Sequence, residues 1–405
     1  MSEPLLPHLF RQEYSKMTAV LCRHFGLQHI EIAEDIVSDT FLKAAETWPL
    51  NGIPENPPAW LYTVAKNRAK DVLKRQHLFE ERIRPAIGRA TADSEAEPDF
   101  EPQAIADSQL AMIFAVCNPV NAPEAQICLA LQILCGFSLE EIANAFLVPR
   151  ETIKKRLQRG RAALRADDFH IGPLDEHTIK ARRPTVINTL YLLFNEGYHS
   201  RSNDGLIRKE LCSEAIRLAL LLTQNAHTDS PEANALLALC CFQASRLEAR
   251  HTAEGEVVLF EDQDRQQWDQ ELIHKGNFFL VNACSGNTLS RYHLEAGIAY
   301  WHTTPEGTNK WRYILDLYNH LLLLAYTPAA ALNRTFALAQ VQGRPAALAE
   351  ALKLGLEQLA DYHALLGYLY TGADTELARQ HYGQAIALTS TSAGRLTLQK
   401  AIDNL

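Results

Sequence analysis

Residues Pro123–Arg165 read PEAQICLALQILCGFSLEEIANAFLVPRETIKKRLQRGRAALR. The apolar segment Glu124–Cys135 predicts a helix, stopped by Gly136, the residue type that ends helices without a Cβ penalty. Ser138 followed by Glu141 fits a capping box, in which a hydroxyl and an acid three residues on satisfy the first backbone amides of a new helix. That helix, Leu139–Phe146, is short. Leu147–Pro149 forms a tight turn, and Pro149 or Arg150 opens the next helix. Two helices joined by a three-residue turn make a helix-turn-helix. In the second helix Ile153, Leu157, Gly160 and Leu164 step by four, three and four, which predicts the buried face. Around them stand Arg150, Lys154, Lys155, Arg156, Arg159, Arg161 and Arg165 against Glu151 alone, a net +6 over sixteen residues. So much like charge on one helix is costly unless an anion meets it. A DNA major groove offers phosphates on both rims and base edges between them. A solvated basic face on an ordinary helical hairpin is the plainer alternative.

Working toward the N-terminus, Ile30–Trp48 places Ala33, Ile36, Val37, Phe41, Ala44 and Ala45 on one face, with Asp35 and Asp39 among the polar residues opposite. A loop follows at Pro49–Pro58, and then a helix over Ala59–Arg75. On that helix Lys66, Lys70 and Lys74 form a stripe at four-residue steps, flanked by Asn67, Arg68 and Arg75. Residues 66–75 carry net +4. Such a stripe is either a solvated face or a track for a nucleic-acid backbone, with the loop receiving an unstacked base.

These two basic helices sit in a chain of 405 residues whose formal net charge is −9. Residues 1–168 are net −4 and the remainder net −5, so any nucleic-acid surface is local rather than global. Helical periodicity dominates throughout, which predicts an all-α fold; only Gly255–Phe260 reads as a short extended segment. Six carboxylates between Asp93 and Asp107, with no Lys or Arg among them, mark a flexible acidic linker. The expected division is 1–80, a linker at 81–109, 110–168 and 180–405. The longest apolar runs, Leu190–Phe194 and Leu321–Ala325, fall far short of the roughly 20 residues that cross a bilayer. The start, MSEPLLPHLF, lacks the basic and apolar regions of a secretory signal. Eight scattered Cys without a CxxC read as reduced core thiols of a cytoplasmic protein. His293, His302 and His320 are too widely spaced for a helical metal pair, and no nucleophile–base arrangement is visible. Neither a metal, a cofactor nor catalysis is expected.

Together the blocks resemble the extracytoplasmic-function group of sigma-70 type transcription initiation factors. AEDIVSDTFLKAAETW and PAWLYTVAKNRAKDVLKR are similar to region 2 of that family, and Pro123–Arg165 is similar to region 4. The resemblance implies core RNA polymerase, through its β′ clamp helices and β flap, and promoter DNA as partners. It implies that Asp35 and Asp39 lie on the helix that docks on the clamp helices. Pro49–Pro58 and Asn67 would capture the unpaired −10 strand, with Lys66, Arg68, Lys70, Lys74 and Arg75 on its phosphates. Lys154, Lys155, Gln158 and Arg159 match the −35 reading positions. Thr152, Arg156 and Arg161 would contact phosphate or support the helix end. The proline-rich loop departs from the common family loop, which leaves the −10 preference open. In the family the acidic connector threads through the polymerase cleft; a plain solubilising linker is the alternative.

The chain continues about 235 residues beyond region 4. Leu366, Gly367 and Tyr370, then Ala378, Tyr382 and Ala385, approximate tetratricopeptide spacings, so the tail is expected to be a helical repeat. Leu190–Ser200, Leu211–Ala219 and Glu261–Asp269 resemble motifs of a sigma-factor subgroup with such a tail. Asn195, Glu196, Tyr198, Asp262, Asp264, Arg265 and Trp268 are expected to form an interdomain polar cluster, with buried acids paired to Arg, or a groove for a protein or small-molecule partner. The competing reading of the whole chain is a helix-turn-helix regulator that acts without polymerase, which would have no use for the Asp35/Asp39 helix.

Overall fold

A computed structural model of the chain describes residues 5–83, 97–166, 171–198, 205–250, 260–304, 309–389 and 392–405, with Thr252 and Val258. Among them the regular elements are all helical, as the apolar periodicity predicts. Most of Gly255–Phe260 lies outside the described residues; Phe260 itself begins a single helical turn, Phe260–Asp262. The chain divides into two compact units, Met1–Leu193 and Phe194–Leu405.

The first unit holds α1 (Leu5–Phe25), α2 (Ile30–Asn51), α3 (Pro57–Ile83), α4 (Pro102–Val116), α5 (Pro123–Leu129), α6 (Leu139–Phe146) and α7 (Arg150–Ala166). It also holds most of α8 (Glu176–Tyr198). Helix α1 packs on α2, α3 and α4, and α7 packs on α5, α6 and the turn Leu27–His29. Met17, Leu21, Leu27, Ile30, Leu61, Met112 and Phe114 are fully buried, so the core runs from α1 through α4.

Three local expectations change. Helix α2 does not stop before Pro49 but continues to Asn51, where Gly52 (φ 85°) ends it. The anchor is Trp48, buried and edge-on to Trp60 at 5.4 Å, which holds the last turn in place although Pro49 has no amide to donate. The loop is therefore only Gly52–Asn56, not Pro49–Pro58. The linker is also shorter than expected. Residues 84–96 lie outside the described residues, but Pro102–Val116 is helix with Ile105, Ser108 and Gln109 buried. The apolar run AMIFAV draws that end into the core. Finally, the helix expected over Glu124–Cys135 is α5 followed by a wider π-helical turn, Ala130–Leu134.

In the second unit α9 (Gly205–Thr223), α11 (Gln270–Ala283) and α12 (Arg291–Thr303) surround α10 (Pro231–Ala244), nearly every residue of which is buried. From α12 onward each helix packs on the next: α13 (Lys310–Leu324), α14 (Pro328–Gln342), α15 (Arg344–Ala351), α16 (Ala360–Tyr370), α17 (Thr375–Leu388) and α18 (Ser392–Asp403). Side-chain caps set the starts: Ser230, Asp269, Thr327 and Asp374 each accept a bond from a first-turn amide. Between α16 and α17 the Tyr382 ring lies where a Cβ on Gly367 would sit, 2.7 Å away, so only glycine allows this approach.

Candidate nucleic-acid interface

The helix-turn-helix forms for the reasons legible in its residues. Ser138 Oγ accepts from Glu141 N (3.2 Å), and Glu141 Oε2 accepts from Ser138 N (2.7 Å), which closes the capping box of α6. Leu147 ends α6 in the left-handed region (φ 51°), and α7 opens at Arg150. Ile153, Leu157, Gly160 and Leu164 are the buried residues of α7. Gly160 permits the close crossing with α5, because a Cβ there would meet Leu129 Cδ1 at 2.7 Å.

Lys154, Lys155, Gln158 and Arg159 are exposed together on the opposite face, while Thr152 and Arg156 are half-buried at its margin. Arg150 pairs with Glu140 (2.8 Å), and Lys154 lies 4.0 Å from Glu151; both pairs are solvent-exposed and therefore weak. The face keeps its cationic character.

Arg161 is different. Its guanidinium makes two bonds to the Glu34 carboxylate (2.8 and 2.6 Å) and two to Gln132 Oε1 (3.1 and 2.8 Å). Only 14% of the Arg161 side chain and 16% of Glu34 are exposed. Burial opposes the arginine charge, but the bonds and charge of Glu34 outweigh it and raise its pKa. Arg161 is therefore spent on α2 and is not a phosphate contact in this arrangement, which corrects one of its expected roles. Arg165 pairs with Glu31, one turn before Glu34, and Arg11 of α1 pairs with Glu141 and lies over the Phe137 ring at 4.3 Å. These contacts clasp the helix-turn-helix to α1 and α2. Sequence reading missed Glu31, Glu34 and Gln132, since partners 127 and 29 positions from Arg161 leave no local signal.

The stripe on α3 is partly occupied as well. Glu97 takes both Lys66 (2.6 Å) and Lys70. Those two hydrogen bonds hold its carboxyl down at about 2. Pro98 is buried, and Phe100 stacks on Tyr62 at 4.9 Å with the planes 8° apart. The end of the acidic stretch is thus fastened across α3 rather than loose. Asn67, Lys74 and Arg75 remain exposed and Arg68 half-buried. Asp35 and Asp39 are exposed side by side on α2, with Ile36, Val37 and Thr40 buried behind them.

The cluster expected in the second unit assembles only in part. Tyr198 is buried, its ring 3.8 Å below the Arg250 guanidinium, and its hydroxyl accepts from Arg246 (3.1 Å). Trp268 is buried, with Arg265 at 5.7 Å and Arg246 at 6.0 Å from its ring centre. Asp262 and Asp264 are exposed, and Asp264 caps the turn Arg265–Gln267 by accepting from Gln266 N (2.9 Å). They are not buried acids paired with arginine: both lie at turn ends, where a carboxylate can keep its water. Asn195 and Glu196 are half-buried on α8. Arg246 and Arg250 organise this region, and the sequence reading named neither.

Among the described residues no group of His, Cys, Asp and Glu could hold a metal ion, and no helix is long and apolar enough to cross a membrane. None of the eight cysteines is in a disulfide, seven of them are buried, and burial pushes Cys117 and Cys241 up to about 12.

Comparison with known proteins adds the following. Residues 9–78 match sigma-70 region 2. Residues 182–284 match a family of unknown function, DUF6596, and that span takes in the motifs at 190–200, 211–219 and 261–269. An uncharacterized protein of Rhizobium meliloti is 33% identical over 396 residues, covering 95% of this chain and 92% of that one. The ECF RNA polymerase sigma factor SigE of Mycolicibacterium smegmatis is 28% identical over 163 residues, 40% of this chain and 61% of that protein. No solved structure matches significantly.

Proposed function

We propose that this chain, whose residues 9–78 match sigma-70 region 2 and which is 28% identical over 163 residues to an ECF sigma factor, is an extracytoplasmic-function type initiation factor. It binds core RNA polymerase in the cytoplasm, directs −35 and −10 recognition and helps to melt promoter DNA. It is not itself a catalyst. The observation that carries this reading is the α7 face: Lys154, Lys155, Gln158 and Arg159 exposed on a capped helix-turn-helix whose apolar side is buried. In this reading those four residues read base edges, and Thr152 and Arg156 steady the helix on phosphate. Arg68, Lys74 and Arg75 track the −10 strand, joined by Lys66 and Lys70 once Glu97 gives way, and Asn67 contacts the unpaired bases. Asp35 and Asp39 face the β′ clamp helices, while the helix-turn-helix domain reaches the β flap. The helices after residue 180 form a tetratricopeptide-like extension that modulates this activity and takes a protein or small-molecule partner. Support for that part comes from the consecutive packing of α12–α18 and from Gly367 beneath Tyr382.

Reconstitution tests the proposal. Purified full-length protein, mixed with core polymerase and a promoter fragment selected from a random library, should form a complex and yield a run-off transcript. DNA binding without polymerase, and no transcript with it, would refute the reading.

A further inference from the structure

The second unit holds a half-open pocket of about 400 Å³ whose lining the proposed function has not assigned to any ligand. This volume is in the range of small-ligand sites, roughly 300–1,000 Å³. Its wall is a continuous belt of rings drawn from distant parts of the chain. Phe260 meets His302 at 4.7 Å, His302 meets Trp311 at 5.8 Å, Trp311 meets Phe336 at 5.6 Å, and Phe336 meets Tyr368 at 5.1 Å. These contacts join the rings into one wall, and the space beside it is left open on one side to solvent rather than filled by further side chains.

Charge is added to this belt. Arg246 lines the cavity with its guanidinium 5.1 Å over the Phe260 ring, and the buried Lys310 brings its ammonium within 5.6 Å of the same ring. Among the described residues the lining includes no carboxylate. Two buried polar atoms of lining residues, Arg246 Nε and His302 Nδ1, have no hydrogen-bond partner. Leaving buried polar atoms unmet costs about 1–3 kcal/mol each, and such atoms call for an explanation. Burial, with Arg246 and Lys310 nearby, holds the His302 pKa down at about 3, so the imidazole is neutral at physiological pH. The cavity thus combines aromatic walls, a cationic end and unused hydrogen-bonding capacity.

We propose that this cavity binds a small planar aromatic acid, its ring lying within the belt of Trp311, Phe336 and Tyr368 and its carboxylate meeting Arg246. The aromatic walls favour flat apolar ligands that a hydrophilic anion such as phosphate cannot satisfy. The cations disfavour amines and select the acid over its neutral analogue. A ligand held this way would link the turn that follows α10 with α12, α13, α14 and α16.

The test uses the full-length chain without polymerase or DNA, so its outcome is independent of the transcriptional reading. Benzoate, 2-naphthoate, indole-3-acetate and quinoline-2-carboxylate are titrated calorimetrically beside the four corresponding amides. At least one acid should bind one-to-one with a dissociation constant below 1 mM, and its amide at least tenfold more weakly. Arg246→Gln should remove that preference, so that acid and amide bind alike. Because Arg246 also donates to Tyr198, the variant's thermal melt is compared with that of the parent; the acid–amide comparison in the unaltered protein stands in either case. No binding by any of the four acids, or equal binding of acid and amide, would overturn the proposal.

Discussion

Removing one partner of the Arg161–Glu34 pair should loosen the clasp between α7 and α2. Breaking a fully buried pair from one side costs about 3–5 kcal/mol, chiefly because the survivor is left charged and unmet. Here the side chains keep 14% and 16% of their exposure, and Gln132 still accepts from Arg161 when Glu34 is gone. About 2 kcal/mol is therefore expected for Glu34→Gln, and somewhat more for Arg161→Met, which strands the carboxylate. The double variant should cost less than the sum, with a coupling of about 1–2 kcal/mol. The chain has two units, so a global melt would mix them. Native-state hydrogen exchange read on peptides from α2 and α7 isolates the clasp, and a 2 kcal/mol loss appears as roughly 30-fold faster opening. Single-variant effects below about 0.5 kcal/mol, or strictly additive ones, would show that the pair is solvent-screened and that apolar packing alone seats α7.

Lys154→Ala or Arg159→Ala should each weaken −35 DNA binding by about 1–3 kcal/mol and relax sequence preference, measured in the reconstituted holoenzyme on promoter variants; unchanged preference removes that residue from the readout. Glu97→Gln should release Lys66 and Lys70 and steepen the salt dependence of single-stranded DNA binding by up to about 1.4 in log–log slope, about 0.7 for each phosphate gained. The Glu97 carboxyl is depressed to about 2 from 4.5, so whatever the clamp contributes is present above pH 4.5 and disappears as pH falls through about 2. An acid titration of Glu97 followed by NMR that gives an ordinary midpoint would contradict the bridge. Gly367→Ala should destabilise the second unit by about 1–2 kcal/mol despite the better helix propensity of alanine, because its Cβ would press on the Tyr382 ring; a neutral or raised melting temperature would show that α16 and α17 can separate.

Much of the first unit was legible because its signals are local. The Ser138–Glu141 capping box, the tight turn after Phe146 and the four-, three- and four-residue steps of Ile153, Leu157, Gly160 and Leu164 each depend on neighbours within a turn or two. The same reasoning failed at Pro49, where a rule about proline yielded to Trp48 packing on Trp60, and at Pro102–Gln109, where acidic flanks hid a buried helix. It failed again in the second unit. Asp262 and Asp264 looked like partners for arginine but lie at turn ends in water, whereas Arg246 carried no local mark of its place between Tyr198 and Phe260.

The sequence by itself determined an all-helical chain, the helix-turn-helix and which of its faces is apolar, since backbone hydrogen bonding and side-chain periodicity act over three to five residues. Only the tertiary structure decided which cations remain available. Of the basic residues around α7, Arg161 and Arg165 are taken by Glu34 and Glu31, and on α3 Glu97 takes Lys66 and Lys70. A charge is neutralised by whatever lies within a few ångströms, and for these residues that neighbour comes from a distant part of the chain.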